Sequence, residues 1–327
     1  MSGAGVAGNA ARLLADVREG KHLAIARAIT AIENGTPTGI EITEAVGRDT
    51  GRSRSIGVTG PPGAGKSTLI NALITEFAHR VGNIGVLTVD PSSALTGGAV
   101  LGDRVRMSSH SKNPQVFIRS LASRGHLGGV TRMTGAAMNL LSAARMDLII
   151  VETVGTGQSE IDIRELADLT LVICPPGLGD DMQAIKSGIL EVADILVVNK
   201  SDLPGAQQSA MHLSAMLHSQ AGADRRVVML TDATRGTGIR ELADAIAKRH
   251  SEPRARFDEN ARRPVEVIRQ SLAYDCAAWV RAAALRGDDS RIDGVCRKVG
   301  QGLLAHRDGV QEILKFVLDS ADRDGSG

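Results

Sequence analysis

Gly60-Pro61-Pro62-Gly63-Ala64-Gly65-Lys66-Ser67-Thr68 is the stretch that decides the fold. Residues 60–67 match the pattern GxxxxGK[ST] in full, in the setting that the pattern requires. Ser55-Ile56-Gly57-Val58-Thr59 before it is a short apolar run suited to a buried parallel strand. Ser67 to Ile74 after it has the apolar spacing of a helix. Glycines at 60, 63 and 65 let backbone N–H groups close around phosphate oxygens, and the helix N-terminus adds its positive dipole end. Gly60 to Thr68 then form a phosphate cradle, with Lys66 reaching the β- and γ-phosphates and the Ser67 hydroxyl ligating Mg²⁺. Away from phosphate, Lys66 is expected to face solvent. The stretch implies a nucleoside triphosphate ligand.

The base is specified farther along. Asp194-Ile195-Leu196-Val197-Val198 reads as another buried strand, and it runs into Asn199-Lys200-Ser201-Asp202. In an NKxD turn the Asp carboxylate accepts two hydrogen bonds, from guanine N1–H and the exocyclic amine. Adenine offers no such donor pair, and a buried carboxylate left unpaired costs roughly 1–3 kcal/mol. Asn199, Lys200 and Asp202 are therefore assigned to guanine, with GTP and GDP as the bound nucleotides.

Between these anchors lie the groups for hydrolysis. Met146 to Val151 reads as a strand delivering Glu152-Thr153-Val154-Gly155, a DxxG element with Glu in place of Asp. Glu152 would hold the Mg²⁺ water shell; the alternative is a solvated strand-end carboxylate. A Gln directly after that Gly orients the attacking water in many GTPases, but here Thr156 follows and the nearest glutamine is Gln158. Slow intrinsic hydrolysis is expected. The strand Ile84 to Val89 ends in Asp90, placed to reach the Mg²⁺ shell. Asp103 lies beyond the glycine-rich stretch Thr96–Gly102; it either enters the metal site when that loop folds over or caps a helix.

Composition narrows the class. The chain has 327 residues, enough for about two domains. A formal net charge of +1 and an aromatic content of 2% give no reason to expect nucleic acid or an acidic membrane as partner. No apolar run reaches the roughly 18 residues that span a bilayer. Met1–Asn9 lacks a basic n-region and an apolar core and reads as a frayed tail, so a cytoplasmic protein is expected. Cys174, Cys276 and Cys296 are read as small buried apolar residues.

Breakers and periodicity divide the chain into a helical N-terminal extension (1–54), a P-loop domain (55–250) and a helical C-terminal arm (251–327). Residues 10–33 have helical spacing broken around Gly20, and Gly35-Thr36-Pro37-Thr38-Gly39 signals a turn within 34–54. Strands and helices alternate from 55 to about 250, which gives an α/β fold with a doubly wound, mostly parallel sheet. A charged joint, Ser251–Pro264, precedes helical patterns at Val265–Arg286 and Asp308–Ala321. Leu314, Phe316 and Val317 crowd more apolar surface onto the last helix than a solvated end needs, so the arm is expected to form a homodimer.

These residues resemble the MeaB/ArgK/MMAA family of P-loop GTPases, the chaperones of adenosylcobalamin-dependent acyl-CoA mutases such as methylmalonyl-CoA mutase. The resemblance rests on Ala26–Glu33, the phosphate loop, Val89–Ser93 with Thr96–Gly98, Leu101–Met107, Phe117–Ser120, Arg124–Gly129, Glu152–Glu160 and Gly179–Glu191. Glu-Thr-Val-Gly-x-Gly-Gln-Ser and Arg-Gly-His-Leu-Gly-Gly are specific to that family. It implies a protein that loads or gates coenzyme B12 on a mutase, which in turn stimulates GTP hydrolysis. It also implies a first switch at Gly97–Arg106 with Asp103 serving the metal, and a further, partner-contacting switch at Gly179–Lys186. Lys66, Asp103, Glu152 and Lys186 are the groups assigned to catalysis, and Ser67, Asp90, Asp103 and Glu152 those assigned to Mg²⁺. The guanine-backing loop corresponds to Asp232-Ala233-Thr234, where Asp232 replaces the usual Ser and the Ala233 N–H would bond guanine O6. The proline-rich Pro175-Pro176 before the partner-contacting switch would mark a subgroup serving a mutase other than the methylmalonyl one. Two other classes stay open: a nickel-insertion GTPase of the urease or hydrogenase maturation type, and an ATP-driven kinase or transport ATPase. None of the 8 histidines cluster, and Asn199–Asp202 conflicts with ATP.

Overall fold

Leu148-Ile149-Ile150-Val151 sends alternate side chains to opposite faces, and both faces are buried. Strands of this kind pair in parallel with helices on either side. In a computed structural model the structure describes residues 3–47, 53–90, 110, 113–122, 129–153, 163–164, 166–177, 193–218, 226–252, 280 and 290–324. Among them are seven strands: β1 (Arg54–Thr59), β2 (Ile84–Asp90), β3 (Val116–Ala122), β4 (Leu148–Glu152), β5 (Leu169–Cys174), β6 (Ile195–Val198) and β7 (Val227–Leu230). They form one parallel sheet in the order β3-β2-β4-β1-β5-β6-β7. This is the doubly wound α/β fold expected. The strand order reverses at β1, which lies between β4 and β5. A parallel sheet opens its ligand crevice at the carboxyl ends of the strands flanking such a reversal.

Helices α4 (Lys66–Phe77) and α7 (Ile239–Ser251) cover one face. Leu69, Leu73, Phe77, Leu242 and Ile246 pack there on Ile56, Val58, Ile150 and Ile173. The other face is covered over β2 and β4 by α1 (Gly3–Arg18), α2 (His22–Glu33), α3 (Pro37–Val46) and α5 (Gly129–Ala143), with Ile25, Ile29, Ile42 and Leu141 against Leu87, Ile149 and Val151. Over β5 and β6 it is covered by α6 (Ala206–His218), with Leu213 and Leu217 against Val172, Cys174, Leu196 and Val198.

The N-terminal pattern breaks at Gly20 as expected, with φ +76° between α1 and α2. The turn expected at Gly35–Gly39 is present at its start, where Gly35 has φ +59°, and its later residues open α3. Thr36 is its N-cap, accepting from the Gly39 N–H at 3.1 Å, and Pro37 stands at the first helical position, where a missing N–H costs nothing. Gly39 marks where α3 crosses α2: a Cβ there would lie 2.1 Å from the Ala31 carbonyl oxygen.

The chain divides into two compact units, Met1–Arg254 and Ala255–Gly327. In the second, α8 (Ser290–Gly300) and α9 (His306–Asp324) bury Ile292, Val295 and Val317. Val310, Leu314 and Leu318, four residues apart in turn along α9, remain exposed. The helix expected at Val265–Arg286 and most of the charged joint lie outside the described residues, as does Cys276. Cys174 is buried under α6, and burial pushes its thiol up to about 12. Cys296 corrects the expectation of three buried cysteines: it is exposed, because α8 buries the narrow stripe of Ile292 and Val295 and Cys296 falls beside it.

Gly39→Ala is expected to destabilise the protein by about 1–3 kcal/mol through overpacking of the α2–α3 crossing, against the usual gain from replacing a helical glycine. Denaturant unfolding checks this; a variant as stable as wild type would contradict the crossing.

Candidate nucleotide-binding site

The loop between β1 and α4 is shaped by glycines that admit no side chain. Gly60 has φ +141°, and a Cβ on it would lie 2.2 Å from the Ile173 carbonyl oxygen of β5. Gly65 has φ +90°, and a Cβ there would meet Asn199 Nδ2 at 2.4 Å. The phosphate loop is thus held against the ends of β5 and β6. Lys66 is buried, not solvent-facing as expected; its Nζ donates to the carbonyls of Gly60 (2.9 Å) and Pro61 (3.3 Å). Curling back over its own loop satisfies the ammonium and holds the loop curved.

Ser67, in the first turn of α4, donates its hydroxyl to Glu152 Oε1 at 3.0 Å, and both residues are buried. Glu152 therefore is not a solvated strand-end acid. It ends β4 level with Val58 of β1 and Thr88 of β2. The next residue is tied to β1 twice, through Thr153 N–H to the Val58 carbonyl (3.0 Å) and the Thr153 hydroxyl to Thr59 Oγ1 (3.0 Å). A hydroxyl and a carboxylate beside a phosphate cradle are hard oxygen donors, the set that suits Mg²⁺ with phosphate and water completing its octahedron. Asp90 ends β2 on the same edge of the sheet; its side chain lies outside the described residues, as do Asp103, Thr156, Gln158 and Lys186.

The base end is organised by Asn199, which is 2% exposed. Its Nδ2 donates to the Ala64 carbonyl at 3.0 Å, and its Oδ1 accepts from the Thr231 hydroxyl and the Ala233 N–H, each at 3.2 Å. That Ala233 N–H is the one assigned to guanine O6, so a bond to the base would share or exchange it. Lys200 adopts φ +59° and donates Nζ to the Gly63 carbonyl at 2.8 Å. The phosphate loop is thereby tied to the NKSD turn from two sides. Asp202 stays partly exposed and faces the loop after β7, with Arg235 Nη2 at 3.8 Å.

Asp232 shapes that loop. Its Oδ1 accepts from the Thr234 hydroxyl (2.5 Å), the Thr234 N–H (3.0 Å) and the Arg235 N–H (3.1 Å), an Asx turn that replaces whatever a Ser would do locally. The Thr234 hydroxyl, followed by the two N–H groups, holds the carboxyl below the usual range against the opposing effect of desolvation. Four partners escaped the sequence reading: Thr59, Thr153, Thr231 and Arg235. A Thr at the end of each strand was the only available sign for the first three.

Comparison with known proteins fits this geometry. The family model described as "Methylmalonyl Co-A mutase-associated GTPase MeaB" matches residues 25–285. A candidate GTPase of Pyrococcus abyssi is 40% identical over 314 residues, covering 94% of this chain and 96% of that protein. The mitochondrial methylmalonic aciduria type A homolog of Mus musculus is 41% identical over 200 residues, covering 58% of this chain and 48% of that protein. A crystal structure titled LAO/AO transport system kinase superposes with a TM-score of 0.63 at 25% identity, covering 97% of this chain and 99% of that one. The chain belongs to the methylmalonyl-CoA mutase-associated GTPase family and is a GTPase.

A carboxylate whose folded pKa is depressed contributes stability above its unfolded value, about 3.9, and loses it as pH falls through the lower folded value. Asp232→Ala should therefore unfold at a lower temperature than wild type at pH 7, with the gap closing below about pH 4. Thermal unfolding across pH checks this. A gap that stays constant down to pH 3 would contradict it.

Proposed function

We propose that this member of the mutase-associated GTPase family is a cytoplasmic, homodimeric chaperone. Using GTP with Mg²⁺, it gates coenzyme B12 loading onto an adenosylcobalamin-dependent acyl-CoA mutase and protects or reactivates that mutase. The observation that carries the reading is the Ser67–Glu152 hydrogen bond. It joins the phosphate loop to the strand that leads directly into Glu152–Glu160, one of the stretches on which the resemblance to the mutase chaperones rests. A change at the nucleotide is thus one bond away from the segment that would report it.

Ser67 and Glu152 would hold Mg²⁺, whose charge would there offset that of the phosphate oxygens. The chain's own groups do the rest. Glycine N–H groups of residues 60–65 and the α4 N-terminus orient the phosphates, and Lys66 exchanges its carbonyl partners for phosphate oxygens. Asp202 reads the guanine donor pair, which argues against an adenine nucleotide and so against a kinase or ATPase role.

What the chain lacks is a Gln after Gly155 to position water. Replacements lie on Asp103, Arg104, Arg106, Gln183 and Lys186, in the two segments read as switches. Holding loop groups in one catalytic position costs on the order of 1 kcal/mol per residue in backbone entropy, and a docked partner can offset that cost. The exposed Val310, Leu314 and Leu318 of α9 support the homodimer, since a stripe of this kind is better covered by a second copy than by water.

GTP turnover by the purified protein should be slow and should rise at least about ten-fold with the mutase, a gain of about 1.4 kcal/mol in barrier that ordering a few residues can supply. Transfer of adenosylcobalamin to the mutase, followed by absorbance, should require GTP. Fast turnover without partner, or turnover and transfer indifferent to each other, would overturn the proposal.

A further inference from the structure

The guanine end of the site holds a cation for which the phosphate chemistry has no use. Arg235 stands in the loop after β7 with its side chain 69% exposed. Its Nη2 lies 3.8 Å from Asp202 Oδ2, and its Nε lies 3.5 Å from Asp232 Oδ2. The Asp232 side chain is only 4% exposed, and its Oδ2 has no hydrogen-bond partner among the described residues. Arg235 is thus the cation set against that oxygen, and the same guanidinium reaches across to the carboxylate that reads the base.

A guanidinium offers a carboxylate a planar array of N–H donors. Guanine does the same with N1–H and its amine. The two donor sets therefore compete for one acceptor. At 3.8 Å the Arg235–Asp202 contact is a charge pair looser than a hydrogen bond, so it can be exchanged without breaking a tight bidentate contact. The Asp232 contact needs no such exchange, because Asp232 Oδ2 is buried.

We infer that Arg235 moderates guanine-nucleotide affinity by standing in for guanine: its guanidinium pairs with Asp202 when the base is absent, and the base displaces it while Arg235 keeps its charge contact with Asp232. The inference rests on the guanine-nucleotide reading of the site and deepens it. Pairing in the empty state stabilises that state relative to the bound one. The arginine therefore weakens guanine nucleotide binding and hastens release, a useful property in a protein that must cycle. An adenine base, with no donor pair, cannot displace the arginine, so discrimination is kept while affinity is moderated. An exposed pair of this kind shifts an equilibrium by no more than about five-fold.

The test uses Arg235→Ala and Arg235→Gln in the full chain; the side chain is exposed, so both should fold. GDP affinity is measured by calorimetry and release by a fluorescent GDP analogue. Both variants should bind GDP about two- to five-fold more tightly, mainly through slower release. The gain should shrink as salt rises. In an Asp202→Asn background probed with xanthosine diphosphate, the substitutions at Arg235 should have no such effect, because the charge they compete for is gone. GDP affinity unchanged or weakened in both variants, or equal tightening in the Asp202→Asn background, overturns the inference. Wild-type protein binding ADP as well as GDP would instead sink the guanine reading itself, and is told apart by that measurement alone.

Discussion

The site depends on one buried amide. Asn199 donates to the Ala64 carbonyl of the phosphate loop and accepts from Thr231 and Ala233 of the loop after β7. Three strand ends, those of β1, β6 and β7, are thereby fixed by a single side chain at the carboxyl edge of the sheet. Any one of these bonds contributes only about 1 kcal/mol net, but a buried amide losing its partners costs more. The recognition of phosphate and the recognition of base are for this reason one structure and not two.

On the far side of β1 the same logic runs through Glu152. β4 carries it to the level of Val58, Thr153 fastens the following backbone to Thr59, and Ser67 closes the gap to α4. The parallel sheet makes this economical: every strand ends on the same edge, so short polar side chains suffice to connect loops far apart in sequence. The packing beneath is apolar on both faces, with α4 and α7 on one and α1, α2, α3, α5 and α6 on the other. The polar groups stay at the edge, where a ligand can reach them.

Much of this was legible in the sequence, because GxxxxGK[ST] and NKxD each tie a residue type to a backbone shape. Short apolar runs alternating with helical patterns likewise announced a parallel sheet. What escaped is equally specific. Lys66 was placed by its motif, but its burial depends on carbonyls that exist only once the loop is closed. Thr36-Pro37 signals a turn and a helix start alike, and the structure has both, a turn at Asn34-Gly35 followed directly by α3. Asp232 looked like a departure from the usual Ser, and only the Asx turn shows what it does. Arg235 belongs to no pattern at all: its meaning comes from a carboxylate on a different strand end.

The claim that phosphate and base recognition form one unit can be measured by hydrogen exchange on Asn199→Ala without nucleotide. Amides of residues 63–67 and of residues 231–236 should exchange faster together, while those of β2 and α7 keep wild-type rates. Loosening of one loop alone, or of neither, would show that the two are built independently.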